Sequence, residues 1–123
     1  MTDSRPLDGL SVLVLEDSYY IAEESQQTLE EAGARVLGPC RDMAEVRTWM
    51  ERGHPDCALV DINLGDGPTF EPARELLAAG VPIILVTGYD RAIVPADLHD
   101  KPCLEKPVAA QRLVSGVASA CHR

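Results

Sequence analysis

Aromatic residues make up only 4% of this 123-residue chain, with one Phe, one Trp and three Tyr. Aliphatic side chains must therefore build its core. No apolar run approaches the roughly 18 residues that a bilayer-crossing helix needs. The opening stretch MTDSRPLDG has no apolar signal-peptide centre, so export is not expected and a cytoplasmic location is. The four cysteines, Cys40, Cys57, Cys103 and Cys121, include no C-x-x-C pair, and no His stands at zinc-finger spacing. They read as reduced, mostly buried small hydrophobes rather than as a disulfide framework. Neither G-x-x-x-x-G-K-[ST] nor G-x-G-x-x-G occurs, which disfavours nucleotide binding. Basic residues are scarce too. Eleven Lys and Arg against twenty Asp and Glu give a net charge of -9, a surface that repels nucleic acid and anionic membranes.

What the chain does have is enough apolar content, 46%, for the core of one ordinary domain. Short apolar runs alternate with helical patterns along its length. Ser11–Leu15 (SVLVL) reads as a strand, and Ser18–Ala32 as a helix stopped by Gly33. Arg35–Leu37 is a second strand, closed by Gly38-Pro39. Asp42 and Glu45 have the spacing of a capping box, ahead of a helix with Met43, Val46, Trp49 and Met50 on its apolar face. Cys57–Val60, Pro82–Val86 and Cys103–Glu105 are three further strands. Helices are expected near Phe70–Ala79, weakly over Arg91–Leu98 because of Pro95, and over Val108–Ala120. Five βα units in succession predict an α/β domain with a doubly wound parallel sheet covered on both faces.

In such sheets ligands bind beyond the carboxyl ends of the strands, where strand order reverses. The residues in those positions are Glu16 and Asp17 after the first strand and Asp61 after the third. Thr87 follows the fourth and Lys106 the fifth. Three converging carboxylates repel unless a proton or a cation neutralises them. Hard oxygen ligands of this kind suit Mg²⁺ (or Mn²⁺), beside which Asp61 can act as a nucleophile toward a phosphoryl group. Lys106 and Thr87 are the donor types that charge on transferring oxygens requires.

With Glu16-Asp17, Asp61, Thr87-Gly88 and Lys106-Pro107 in this order, the sequence resembles the receiver domain of two-component response regulators from about Ser11 to Ala120. The resemblance implies a five-stranded flavodoxin-like (CheY-like) fold with strand order 2-1-3-4-5. The domain would fill the chain, with a core about 10–121 and no output domain. It implies phosphorelay signalling, in which Asp61 accepts a phosphoryl group from a histidine kinase or phosphotransfer protein. Asp17, Asp61 and the main-chain carbonyl of Asn63 would bind Mg²⁺, with Glu16 acting through water. Lys106 would pair with the aspartyl phosphate and Thr87 would move to it, altering a surface read by a downstream protein. Asp61–Gly67 with Pro82–Tyr89 is similar to a group of small, often single-domain receivers that carry Thr-Gly-Tyr after the fourth strand.

Three departures stand out. Leu64-Gly65 replaces the frequent Met-Pro of the acceptor loop, and Cys103 stands where an aromatic usually swings inward with the Thr. The stretch between Thr87 and Lys106 is short and holds Pro95 and Pro102, so its helix is expected to be short or partly unwound. Two other functions compete. An Asp-nucleophile, Mg²⁺-dependent phosphohydrolase would need an acid two residues after Asp61, where Asn63 cannot transfer a proton. A degenerate receiver acting as a phosphorylation-independent adaptor would not need the intact acid set. The chain is thus expected to be a phosphoacceptor rather than a dedicated enzyme. His54, His99 and His122 read as surface or loop residues. Of Tyr19 and Tyr20, one is expected to pack, and Tyr89 to border the pocket.

Overall fold

The structure, a computed structural model, describes residues 5–65, 67–89 and 91–121; His122 lies outside them. Five parallel strands form one sheet, β1 (Ser11–Leu15), β2 (Arg35–Cys40), β3 (Cys57–Asp61), β4 (Ile83–Thr87) and β5 (Cys103–Glu105). Their order is β2-β1-β3-β4-β5, the flavodoxin-like arrangement, with the reversal between β1 and β3. Four helices are described, α1 (Tyr19–Glu31), α2 (Met43–Met50), α3 (Glu71–Ala78) and α4 (Ala110–Ala120).

Side chains on a strand alternate between faces, and here both faces are dry. Val12, Val14, Leu59, Ile84 and Val86 pack with Leu29 of α1 and with Leu113 and Val117 of α4. Leu13, Leu15, Ala58, Val60, Ile83 and Leu85 pack with Val46 of α2 and with Ala73 and Leu76 of α3. This double burial explains why the strands read as unbroken apolar runs instead of alternating ones. Leu7 and Leu10 extend the first cluster, and the Leu7 N–H donates to the Ala32 carbonyl at 2.9 Å. The core therefore begins before residue 10, earlier than expected.

The capping box forms, with a variation. The Asp42 side chain accepts from the Glu45 N–H at 3.0 Å, while Glu45 Oε1 accepts from the N–H of Arg41, one residue ahead of the cap. Asp42→Ala removes the only side-chain acceptor the α2 N-terminus has among the described residues. It should cost about 1 kcal/mol by urea denaturation, and Asp42→Ser should recover most of that loss.

Local structure departs from expectation in four places. Strand β2 does not close at Gly38-Pro39 but continues to Cys40. Gly38 takes φ 105°, and the pairing with β1 shifts register between Leu13 and Leu15. An edge strand can lack the proline N–H at such an irregularity. The crossover from β4 to β5 contains no α-helix among the described residues, only single 3₁₀ turns at Arg91–Ile93 and Ala96–Leu98. Pro95 is extended and has no N–H to donate, which separates the two turns. Val94 and Leu98 anchor the segment in the core, and Arg74 of α3 holds both oxygens of Asp97 at 2.9 and 3.0 Å. Helix α4 starts at Ala110, two residues after Val108. Neither Tyr19 nor Tyr20 packs inward, being 72% and 82% exposed; Ala22 and Leu29 supply the buried face of α1.

Candidate functional site

The fold brings the strand-end acids together because β1 and β3 are neighbours and both end at the same sheet edge. Residues 15 and 60 are paired in the β1–β3 ladder, so Glu16 and Asp61 leave it side by side. One carboxylate oxygen from each of Glu16, Asp17 and Asp61 lies within 4.8 Å of the others. Glu16 and Asp61 are buried, at 5% and 2% exposure, while Asp17 opens to solvent.

Lys106 reaches this cluster from the end of β5. Its Nζ donates to Asp61 Oδ2 at 3.0 Å and lies 3.3 Å from Glu16 Oε1. The backbone is fixed as well, since the Lys106 N–H donates to the Thr87 carbonyl at 2.8 Å. Burial works against the Lys106 ammonium, but the Asp61 hydrogen bond and the charges of Asp61 and Glu16 outweigh it and raise its pKa above the ordinary value. Burial is also the main force on Glu16. With the adjacent Asp61 it pushes the Glu16 carboxyl up to about 7, against the opposing pull of the Ser18 N–H and Lys106. One positive charge does not satisfy three carboxylates. The residues fit a divalent cation on this ground, with hard oxygen donors, two of them shielded and one open to water.

The acceptor loop supplies contacts that the sequence reading did not assign. Asp61 Oδ1 accepts from the Asn63 N–H at 3.0 Å, and Asp17 Oδ2 accepts from the Gly65 N–H at 3.0 Å. Gly65 has φ 73°, a conformation that glycine adopts without strain. The Leu64-Gly65 departure thus ties the loop to Asp17. Glu16 Oε2 is similarly placed by the Ser18 N–H at 3.1 Å. Only the Gly-rich turn composition signalled these contacts, and it does not name their partners.

Thr87 is fully buried at the end of β4. Its Oγ1 accepts from the Tyr89 N–H at 2.8 Å and lies 3.4 Å from the Tyr89 carbonyl, to which it can donate. The hydroxyl therefore stitches the first turn after β4. Tyr89 is exposed at 42% and Cys103 is half-buried against the α2/α3-side core. His54 and His99 are exposed, away from the acid cluster. A cavity of about 600 Å³ runs inward from Glu16, Asp61 and Lys106 between α1 and α4, past Ile21, Val108 and Leu113.

The pattern that defines the response regulator receiver domain matches residues 12–118. Over 108 residues the chain is 32% identical to the phyllosphere-induced regulator PhyR of Methylorubrum extorquens, an overlap of 80% of this chain and 40% of that protein. The signal receiver domain of a modulated diguanylate cyclase from Desulfovibrio desulfuricans G20 superposes with a TM-score of 0.77 at 31% identity, over 94% of this chain and 95% of that one. The anti-anti-sigma factor PhyR from Bartonella quintana shares the fold, with a TM-score of 0.78 at 22% identity over 92% of this chain and 47% of that one. The chain spans less than half the length of the curated relatives it matches. Matched across most of its length, with the strand order and the strand-end acids in place, the chain belongs to the response regulator receiver domain family.

Proposed function

We propose that the chain accepts a phosphoryl group on Asp61 from the phosphohistidine of a histidine kinase or phosphotransfer protein. The observation that carries this reading is the 3.0 Å pair between Lys106 Nζ and Asp61 Oδ2, set where three carboxylates converge at the strand ends. An Asp61 oxygen attacks phosphorus, the P–N bond breaks, and the imidazole departs with the electron pair. The Asn63 N–H and Lys106 hold the Asp61 carboxylate in one orientation for that attack. Glu16, Asp17, Asp61 and the Asn63 main-chain carbonyl would hold Mg²⁺ or Mn²⁺. When bound, the cation supplies positive charge to the transferring oxygens. Lys106 supplies a second charge from the end of β5, at the same sheet edge.

Thr87 links the site to its surroundings. A hydroxyl that turns to a phosphoryl oxygen must release the Tyr89 main chain, loosening the start of the β4–β5 crossover. With a thiol at Cys103 there is no ring to swing inward, so the backbone after Thr87 carries the change. This surface would meet a downstream protein. The anti-anti-sigma name of the Bartonella relative belongs to a chain about twice as long. A phosphohydrolase is disfavoured because Asn63 offers Asp61 a backbone N–H and has no carboxyl to move a proton. The chain assists its own phosphorylation and dephosphorylation and is not a dedicated enzyme.

Incubation with Mg²⁺ and a small acyl phosphate should add one acid-stable, base-labile phosphoryl group, and chelating the cation should prevent it. A base-stable product would contradict the reading. Thr87→Val keeps the side-chain shape but removes the acceptor of the Tyr89 N–H, at an expected cost of about 1 kcal/mol. Phosphoryl incorporation should persist in this variant, while the amide shifts over residues 88–103 should fail to follow it. Unchanged shifts relative to the phosphorylated parent would remove Thr87 from the switch.

A further inference from the structure

Asp17 is the one acid of the cluster that burial does not hold in place. Glu16 and Asp61 are closed off and share Lys106, at 3.3 and 3.0 Å, whereas Asp17 is exposed and has no ion pair among the described residues. The two neighbouring carboxylates push it outward. Against that push stands the Gly65 N–H, which donates to Asp17 Oδ2 at 3.0 Å, the one hydrogen bond of this side chain among the described residues. With the bond formed, an Asp17 oxygen still lies within 4.8 Å of the Glu16 and Asp61 ligand atoms. An ionised carboxylate has two oxygens and about four acceptor positions, so accepting from Gly65 leaves it able to meet a cation.

The donor is itself built in. Ile62 is fully buried, its N–H donates to the Val86 carbonyl at 3.0 Å, and its carbonyl accepts from the Thr69 N–H at 2.7 Å. Asn63 and Pro68 form an antiparallel bridge one step further out. Leu64, partly buried, packs against the core under α2 and α3. These contacts fix the stem of the loop to the sheet, and the loop meets Asp17 at Gly65. Gly65 turns with φ 73°, and a β-carbon there would have no atom within 4 Å. Backbone direction, not crowding, calls for glycine here, and that direction aims the N–H at Asp17. A proline at this position would have no N–H to give.

We propose that Gly65 is a positioning residue for the divalent cation: its N–H holds Asp17 at the site, and through that bond cation binding and the order of the acceptor loop reinforce each other. This rests on the reading of the three acids as a cation site and is independent of phosphoryl transfer. The coupling follows from linkage. A bond that favours the Asp17 position a cation needs is itself favoured, by the same factor, when the cation binds. Groups that orient a metal ligand from behind are commonly worth about 10–100-fold in affinity, and one bond at an exposed ligand belongs at the low end.

The test is a Mg²⁺ titration of the full chain by isothermal calorimetry, with no phosphodonor, alongside solvent exchange of the Gly65 amide read by NMR. Gly65→Pro, at an exposed loop position, should raise the Mg²⁺ Kd about tenfold while circular dichroism stays that of the wild type. Gly65→Asn keeps the N–H and tolerates a positive φ, so it should bind within about twofold of the wild type. Mg²⁺ should slow exchange of the wild-type Gly65 amide several-fold, and in Asp17→Ala that amide should exchange fast with or without Mg²⁺. Unchanged or tighter binding by Gly65→Pro overturns the role of Gly65 and leaves the cation site standing. Equal losses in Gly65→Asn and Gly65→Pro overturn it too, because the N–H is then not what matters. A wild-type Gly65 amide that Mg²⁺ leaves unprotected overturns the coupling. A wild-type chain that binds no Mg²⁺ overturns this proposal and the cation site together.

Discussion

Asp61→Asn should reduce phosphoryl incorporation from a small acyl phosphate to background while leaving the fold intact. The substitution is nearly isosteric, and an Asn oxygen can still accept the Asn63 N–H that Asp61 Oδ1 accepts at 3.0 Å. Lys106 keeps Glu16 at 3.3 Å as a partner. Burial is the main force raising Glu16, and removing one of two buried carboxylates also relieves the smaller repulsion from Asp61. The variant is therefore expected to be within about 1 kcal/mol of the wild type in unfolding free energy, since the lost pair and the lost repulsion oppose each other. Its cation affinity should fall, because one of three converging ligands is gone. Circular dichroism and urea denaturation check the fold, and radiolabel incorporation checks the chemistry. Labelling that persists in a folded Asp61→Asn chain would transfer the acceptor role elsewhere.

Lys106→Ala should have the second-largest effect, and on a different quantity. No other basic side chain among the described residues lines the site, so this change leaves Glu16 and Asp61 buried without a countercharge. Breaking a fully buried pair costs about 3–5 kcal/mol; one-fifth exposure of the lysine side chain lowers the expectation here to about 2 kcal/mol. The loss should appear in metal-free buffer and shrink markedly with millimolar Mg²⁺, because a cation replaces the missing charge. Phosphoryl incorporation should continue at a reduced rate. The change in amide shifts over residues 87–103 should not follow it, because the β5 partner of the phosphoryl group is absent. An equal stability loss with and without Mg²⁺ would mean that Lys106 acts through packing alone.

Much of this was legible in the sequence, for a physical reason. In a parallel sheet buried on both faces, a strand that stops abruptly at an acid marks the sheet edge, as Leu15 to Glu16 and Val60 to Asp61 do. Five βα units in succession give the parallel sheet and its functional edge, while the strand order 2-1-3-4-5 came from the resemblance to receiver domains. The Asp42 cap was visible because its side-chain acceptor and the Glu45 N–H lie three residues apart. What escaped depends on long-range contacts. Leu7 sits among Pro6, Asp8 and Gly9, which read as loop, and only the Ala32 carbonyl and the α1 side of the core reveal its burial. Gly38-Pro39 reads as a stop, yet an edge strand with a register shift absorbs it. One of Tyr19 and Tyr20 is expected to pack, but both stand on the first turn of α1 and face solvent. The Gly65 N–H to Asp17 contact joins residues 48 apart, beyond any local pattern.

The central claim is that Asp61 is the phosphoacceptor, and the most direct test locates the group itself. Phosphorylated wild-type chain is reduced with borohydride, which converts an aspartyl phosphate to homoserine, and the digested peptides are sequenced by mass. Homoserine at position 61 alone is the expected result. Homoserine at Asp17, or a phosphoryl group found on a histidine with Asp61 unmodified, would contradict the account.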